Sequence, residues 1–465
     1  MKIKDTRDRV HRDSKGNIIS NSEEGGDLLD FNHNGDWKEL YELFQKQFPT
    51  SLIFDIDQWM SSDLKYGDED FGGTDIQHFY AMENSPNNFS IQWEKRWTLI
   101  KSHIDKFDDS FVIILFPGEA FLSNSGREGT WYDSLYLLHI HADKYRVPLD
   151  RIIYFNLDNR IEENYKKWRD YEIEHPYMKG FESLGIYKNP LDGLGNINVI
   201  GGDFETYYIL SPFKKRRNVK RTGLDNIPTN LSDKIKSNYY CDNKPSKIFL
   251  SLNNKGIDIR RHLVDEWKKR DIYESAYISE GWNKIYLDTK KDRTDLSGRI
   301  TSDQVEKMFP FYKDSYFSVI VEASALCPSK NHQTGKFDVH VNNWNPLFIT
   351  EKTWKAILNC HPFMIIGNHG ILNHLKKLGY ETFEDIFDES YDEQLDNVCD
   401  WTNKVDIVVN ETERICKLKP NVRHDLFTKV RDKVMHNKEW FFKNDVSTKI
   451  MIEKFNKIKK EVLND

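Results

Sequence analysis

No stretch of this chain approaches the roughly 20 consecutive apolar residues that a membrane-spanning helix requires, so a bilayer-crossing protein is not expected. The first residues, Met1-Lys2-Ile3-Lys4-Asp5-Thr6-Arg7-Asp8, alternate in charge and offer no apolar stretch for a signal peptide. A cytoplasmic protein is the expectation. Cysteine is scarce: Cys241, Cys327, Cys360, Cys399 and Cys416 are odd in number, widely spaced and form no CxxC pair. A disulfide framework and a zinc clamp are both disfavoured, leaving reduced, structural thiols. An excess of basic charge is missing too. The net charge of -7 argues against a generally basic surface for nucleic acid, while leaving room for a local patch. Internal repeats and low-complexity tracts are also absent.

What remains is a globular composition, 38% hydrophobic and 30% charged, on a chain of 465 residues. That length fits two domains with additions better than one core. Residues 1–36 are rich in Asp, Asn, Ser and Gly without periodicity and read as an extension. Short apolar runs at 51–54, 111–116 and 151–155 have the length and β-branched content of buried strands, and a helical pattern over 133–141 leads into the third. A further strand is expected near 198–200. This is the rhythm of βαβ units on a parallel sheet. A polar, basic, Pro-containing stretch over 211–245 marks a linker. A second series then runs through strands at 247–252, 316–321 and 362–366, with helices over 259–270, after Thr350 and over 372–378. The predicted fold is α/β, with two Rossmann-like domains facing a cleft: 37–210 on the acceptor side and 246–465 on the nucleotide side.

The segment Phe348-Ile349-Thr350-Glu351-Lys352-Thr353-Trp354 opens an amphipathic helix directly before a buried strand. Free N–H groups in a first helical turn favour anions, Lys352 adds a full positive charge, and a carboxylate such as Glu351 can accept from ribose hydroxyls. Thr350 is equally an ordinary N-cap before a solvated acid–base pair. With its flanks the order is strand, acid (Glu322), loop, Thr-Glu-Lys, helix, strand. That order, with Leu252-Asn253-Asn254-Lys255-Gly256-Ile257-Asp258-Ile259-Arg260 upstream, resembles the donor-binding domain of the alpha-1,3-fucosyltransferases. Leu375-Lys376-Lys377-Leu378-Gly379-Tyr380 and Asp388-Glu389-Ser390-Tyr391-Asp392 look like a phage-encoded group of fucosyltransferase-like proteins. The resemblance covers about residues 247–391. Phe348 stands where that family usually has tyrosine, and a polar insertion over 328–345 separates Glu322 from the loop, so the resemblance does not name the base.

The resemblance implies a glycosyltransferase of GT-B architecture, free of metal and cofactor, with a nucleotide-sugar as co-substrate. Asn254, Arg260, Glu322, Thr350, Glu351 and Lys352 would line the donor site, with Arg260 on the diphosphate. Several residues outside it compete for roles. Asp55-Ile56-Asp57 imitates a metal-binding DxD after a strand, as in GT-A enzymes, though such tripeptides are common. Glu119 follows a predicted parallel strand and is the candidate general base, against the plainer reading of a strand-ending Glu. The turn Asn156-Leu157-Asp158-Asn159 is placed similarly. His139 and His141 point to different helix faces and suit core or surface roles. Asp68-Glu69-Asp70 and Asp108-Asp109 read as solvated loops. The dense basic run Lys214-Lys215-Arg216-Arg217, with Lys220 and Arg221, reads as a solvated linker or as a grip on acceptor phosphates. The likeness to phage-encoded proteins implies a hydroxymethylated base in viral DNA as one acceptor, beside a glycan, a lipid-linked or a protein acceptor. A nucleic-acid-binding accessory protein with a degenerate Rossmann pair is the alternative from another class.

Overall fold

The computed structural model describes residues 44–55, 88–116, 124–125, 131–132, 134–156, 158–170, 193–202, 244–253, 256–285, 287, 310–322, 347, 349–393, 401–443 and 446–463. The strands are β1 (Leu52–Asp55), β2 (Val112–Phe116), β3 (Asn124–Ser125), β4 (Trp131–Tyr132), β5 (Ile152–Asn156), β6 (Asn198–Gly201), β7 (Phe249–Asn253), β8 (Ala276–Glu280), β9 (Phe317–Val321) and β10 (Phe363–Ile366). The helices are α1 (Asn88–Lys106), α2 (Ser134–Lys144), α3 (Ile161–Arg169), α4 (Asp258–Lys269), α5 (Glu351–Leu358) and α6 (Ile371–Lys377). They continue as α7 (Thr402–Lys417), α8 (Pro420–Thr428), α9 (Arg431–Lys443) and α10 (Val446–Leu463). The protein is α/β, built on two four-stranded parallel sheets, as two Rossmann-like units require. Among the described residues no helix is long and apolar enough to cross a membrane.

The first sheet runs β1-β2-β5-β6. Alternation along its strands sends side chains to two cores, because successive residues of a strand face opposite sides. Leu52, Val112, Ile114, Ile152 and Tyr154 pack under α1, α2 and α3, with Trp97, Leu135, Leu138 and Ile161. Ile53, Ile113, Leu115, Ile153 and Phe155 face Phe44, Phe48 and, from the far end of the chain, Met451, Phe455 and Ile458 of α10. A division of the chain at a linker over 211–245 would group α10 with the second sheet; it covers the first. Phe455 packs between Phe44 and Phe48, with ring centres 4.6 and 5.5 Å away.

The second sheet has the order β10-β9-β7-β8. The chain therefore builds β7 and β8 outward to one side, then crosses back to lay β9 and β10 on the other. Strand order reverses between β7 and β9. These two strands share backbone register only at Phe249↔Phe317 and Leu250↔Ser318. Beyond that point side chains bridge them, beginning with Ser251 Oγ, which donates to Val319 O at 3.0 Å. Ligands of open α/β sheets bind outside the carboxyl ends of strands at such a reversal, because loops leaving in opposite directions open a crevice there.

Candidate functional site

Four of the six residues expected at a donor site, Arg260, Glu322, Thr350 and Lys352, come from distant parts of the chain to the carboxyl ends of β7 and β9. Arg260 lies in the first turn of α4, which follows β7, and its Nη2 donates to Val321 O at 2.8 Å. The next residue, Glu322, is fully buried. One of its carboxylate oxygens accepts from Thr350 N at 3.1 Å and Thr353 Oγ1 at 2.8 Å; the other accepts from Thr350 Oγ1. Lys352 Nζ lies 2.8 Å from Thr350 Oγ1 and 3.5 Å from Glu322 Oε2, with its side chain 26% exposed. Glu322, Thr350 and Lys352 thus meet at the start of α5, and Arg260 bonds the backbone of the residue before Glu322.

Their roles differ from one another. Thr350 caps α5: its backbone is extended and its Oγ1 accepts from Lys352 N, as the local pattern predicts. Glu322 faces inward and ties the first turn of α5 to the end of β9. It fixes the helix start and the position of Lys352 rather than presenting itself to solvent. Arg260 is only 2% exposed, so its guanidinium charge lies beneath the crevice. A charge buried in a poorly polarisable interior acts strongly on a neighbouring anion even without touching it. Lys352 is the cation at the surface. Glu351 opens α5, and its side chain lies outside the described residues, as do Asn254, Glu119, Asp57 and the basic run Lys214, Lys215, Arg216 and Arg217. Asp55 ends β1, with its side chain likewise outside them.

The carboxyl end of the first sheet meets the same region. Asp158, just past β5, is fully buried; its Oδ1 accepts from Leu347 N and Arg160 N, both at 2.8 Å, and its Oδ2 from Asn164 Nδ2 at 2.8 Å. Asn159 N returns a bond to Leu347 O at 2.9 Å. Burial pushes the Asp158 carboxyl up to about 6 against the pull of these hydrogen bonds. The turn that the sequence offers toward an acceptor is therefore, at Asp158, a clamp on the loop leading into Thr350.

Arg160 reaches further, donating from Nη2 to His369 O at 2.7 Å. The neighbouring Gly370 (φ +76) makes this approach possible: a Cβ there would lie 2.7 Å from Arg160 Nη2. Behind it, Lys404 Nζ donates to Gly367 O at 3.1 Å, and Asp392 caps α6 through Ile371 N and Leu372 N at 3.0 and 2.9 Å. Burial, with Lys404 and Arg160 adding positive charge, holds the His369 imidazole down at about 4. Burial also brings the Lys404 ammonium down to about 8.

These residues escaped the reading of the sequence. The run Gly367-Asn368-His369-Gly370, two glycines and two polar residues directly after a predicted strand, is the signal that would have found them. His139 and His141 are both buried; His139 bridges Leu135 O at 2.7 Å and Tyr165 Oη at 2.8 Å, a core role. Among the described residues Cys360 and Cys416 are free thiols. Compared with protein-family models, with curated proteins and with solved structures, the chain finds no match.

Proposed function

We propose that this protein is a nucleotide-sugar-dependent glycosyltransferase of the GT-B type, with its donor diphosphate at Lys352 and the start of α5. The observation that supports the reading is that Arg260 bonds the end of β9 while Lys352 lies against Glu322, the next residue, beside the strand-order reversal at which open parallel sheets bind ligands. In the transfer, the acceptor oxygen bonds the anomeric carbon as the bond from that carbon to the diphosphate oxygen breaks. Negative charge develops on the departing diphosphate. A surface ammonium with a buried guanidinium behind it stabilises that charge without reorganising. The acceptor's proton passes to a base, for which Glu119 is the candidate.

The first sheet's carboxyl end faces the same crevice and is the side from which an acceptor would enter. The resemblance to phage-encoded proteins and the basic run over 214–217 favour a hydroxymethylated base in DNA as acceptor. The test is a thermal-shift screen of the full chain against UDP-, GDP-, CDP- and ADP-sugars, since a ligand that binds only the folded state raises its apparent stability. At least one should raise the midpoint. No response to any nucleotide would leave the accessory-protein reading in its place. Mass spectrometry of DNA nucleosides from cells making the protein then identifies the acceptor.

A further inference from the structure

Along the carboxyl edge of the second sheet, beyond β7, two planar side chains are stacked and braced. Strand β8 ends at Glu280, and the turn after it is closed by paired backbone bonds, Glu280 N to Ile285 O at 2.9 Å and Ile285 N to Glu280 O at 3.1 Å. Lys284 takes the left-handed conformation that this tight turn needs (φ 58). The Glu280 side chain is only 1% exposed. It accepts from Tyr273 Oη at 2.5 Å and from Asn283 Nδ2 at 2.7 Å, and lies 2.9 Å from Lys268 Nζ. A carboxylate so surrounded holds the turn still, because moving Asn283 would break one of the hydrogen bonds to a buried acceptor.

That turn carries Trp282. The Arg261 guanidinium lies over its ring, 5.6 Å from the ring centre, and Arg261 Nε donates to Gly256 O at 2.6 Å. Gly256 completes the assembly by having no side chain. A Cβ there would stand 2.8 Å from Trp282 Cβ and 2.7 Å from Arg261 Nη2. Trp282 is half-buried against the core and Arg261 is exposed, so the stacked pair stands at the surface on a rigid base. Arg261 directly follows Arg260. Neighbouring strands lie ~4.8 Å apart, which puts the β8 turn roughly 10 Å along the sheet edge from the end of β9.

We infer that the Trp282–Arg261 pair is the stacking platform for the base of the nucleotide whose diphosphate lies at Lys352. This rests on the donor-site reading above and assigns it the other half of the ligand. The direction fits: the ribose bridges from the phosphates at the β7/β9 crevice to a base over the β8 turn. Planar guanidinium and indole groups stack on any base through its π-face, so the platform supplies affinity rather than a choice among bases. Its preorganisation by Glu280 and Gly256 removes the entropy cost of ordering a loop on binding.

The test is isothermal titration of the full chain with UDP, GDP, ADP and CDP, and separately with inorganic diphosphate. The parent is compared with Trp282→Ala, Trp282→Phe and Arg261→Ala. Trp282→Ala should weaken the nucleoside diphosphate that binds best by about tenfold or more. Inorganic diphosphate should bind as before, and Trp282→Phe should recover most of the loss. Arg261 is exposed, so Arg261→Ala keeps the test open if Trp282→Ala does not fold. Unchanged nucleotide affinity in these variants, or an equal loss for nucleotide and inorganic diphosphate, overturns the platform alone. A parent that binds no nucleoside diphosphate at all overturns the donor-site reading and this inference with it.

Discussion

Asp158 is a buried acid whose ionisation works against folding, and Asp158→Asn isolates that effect. The carboxyl rises from 3.8 to about 6, first because burial penalises its charged form. A carboxyl with a raised native pKa adds stability below its unfolded value and loses that contribution as pH climbs through the native one. The shift of roughly two units, at ~1.4 kcal/mol each, sets the whole loss at about 3 kcal/mol, of which ~2 kcal/mol or a little more falls between pH 4 and pH 7. The amide keeps an acceptor for Leu347 N and Arg160 N. Its NH2 group would oppose Asn164 Nδ2, but Asn164 Oδ1 is buried with no hydrogen-bond partner among the described residues. Turning the Asn164 amide over lets Oδ1 accept from that NH2 group, and the unpaired position passes from Asn164 Oδ1 to its Nδ2. Urea denaturation of parent and variant from pH 4 to pH 7 should show the variant gaining on the parent by ~2 kcal/mol or a little more as pH rises. The histidines held low by burial, such as His361 at about 4, change stability in the opposite direction, but equally in both proteins. A stability difference that stays flat across this range would refute the reasoning.

Three further outcomes are expected. Lys352→Ala should lower kcat by about a hundredfold, on the order of ~3 kcal/mol of barrier, while far-UV circular dichroism stays unchanged; full turnover would remove the donor-site assignment. Gly370→Ala places a Cβ 2.7 Å from Arg160 Nη2 at a φ of +76, so it should cost ~1 kcal/mol or more in denaturation. In a double-mutant cycle with Arg160→Ala the two costs should fall short of additivity, and strict additivity would show that they do not share one contact. Lys215→Ala with Arg216→Ala should weaken DNA binding and flatten its dependence on salt while sparing donor binding; an unchanged salt slope in filter binding turns the acceptor away from nucleic acid.

The strands were legible wherever burial on both faces wrote a continuous apolar run, as at residues 111–116 and 316–321, observed as Val112–Phe116 and Phe317–Val321. Strand β8 was missed because Ala276-Tyr277-Ile278-Ser279-Glu280 ends in buried polar residues, whose partners come from elsewhere in the chain. The cap at Thr350 was legible because capping is local, and Glu322 was legible as an acid ending a strand. Its inward orientation was not, because that depends on Thr353 and Thr350 arriving from the far side of a long insertion. Helix α10 shows the same limit. Met451, Phe455 and Ile458 repeat at helical spacing and announce one apolar face, but nothing in that spacing says that the first sheet supplies its cover.

The segment that leads into α5 is held from both sheets at once. Asp158 and Asn159, at the end of β5, bond both backbone groups of Leu347; Glu322, at the end of β9, bonds the backbone and hydroxyl of Thr350, three residues on. Separating the two sheets at this edge breaks the Leu347 pair and takes one of its hydrogen bonds from the Asp158 carboxylate, at ~1–3 kcal/mol for each buried group left unsatisfied. A second tie lies on α10, where Lys454 pairs with Glu162 and donates to Gly201 O at 3.2 Å, and Phe455 closes the core beneath. Two ties at different places resist rotation as well as separation. The position of Lys352 therefore depends on the first sheet as much as on the helix that carries it, so a change at Asp158 reaches Lys352 through Leu347 and Thr350.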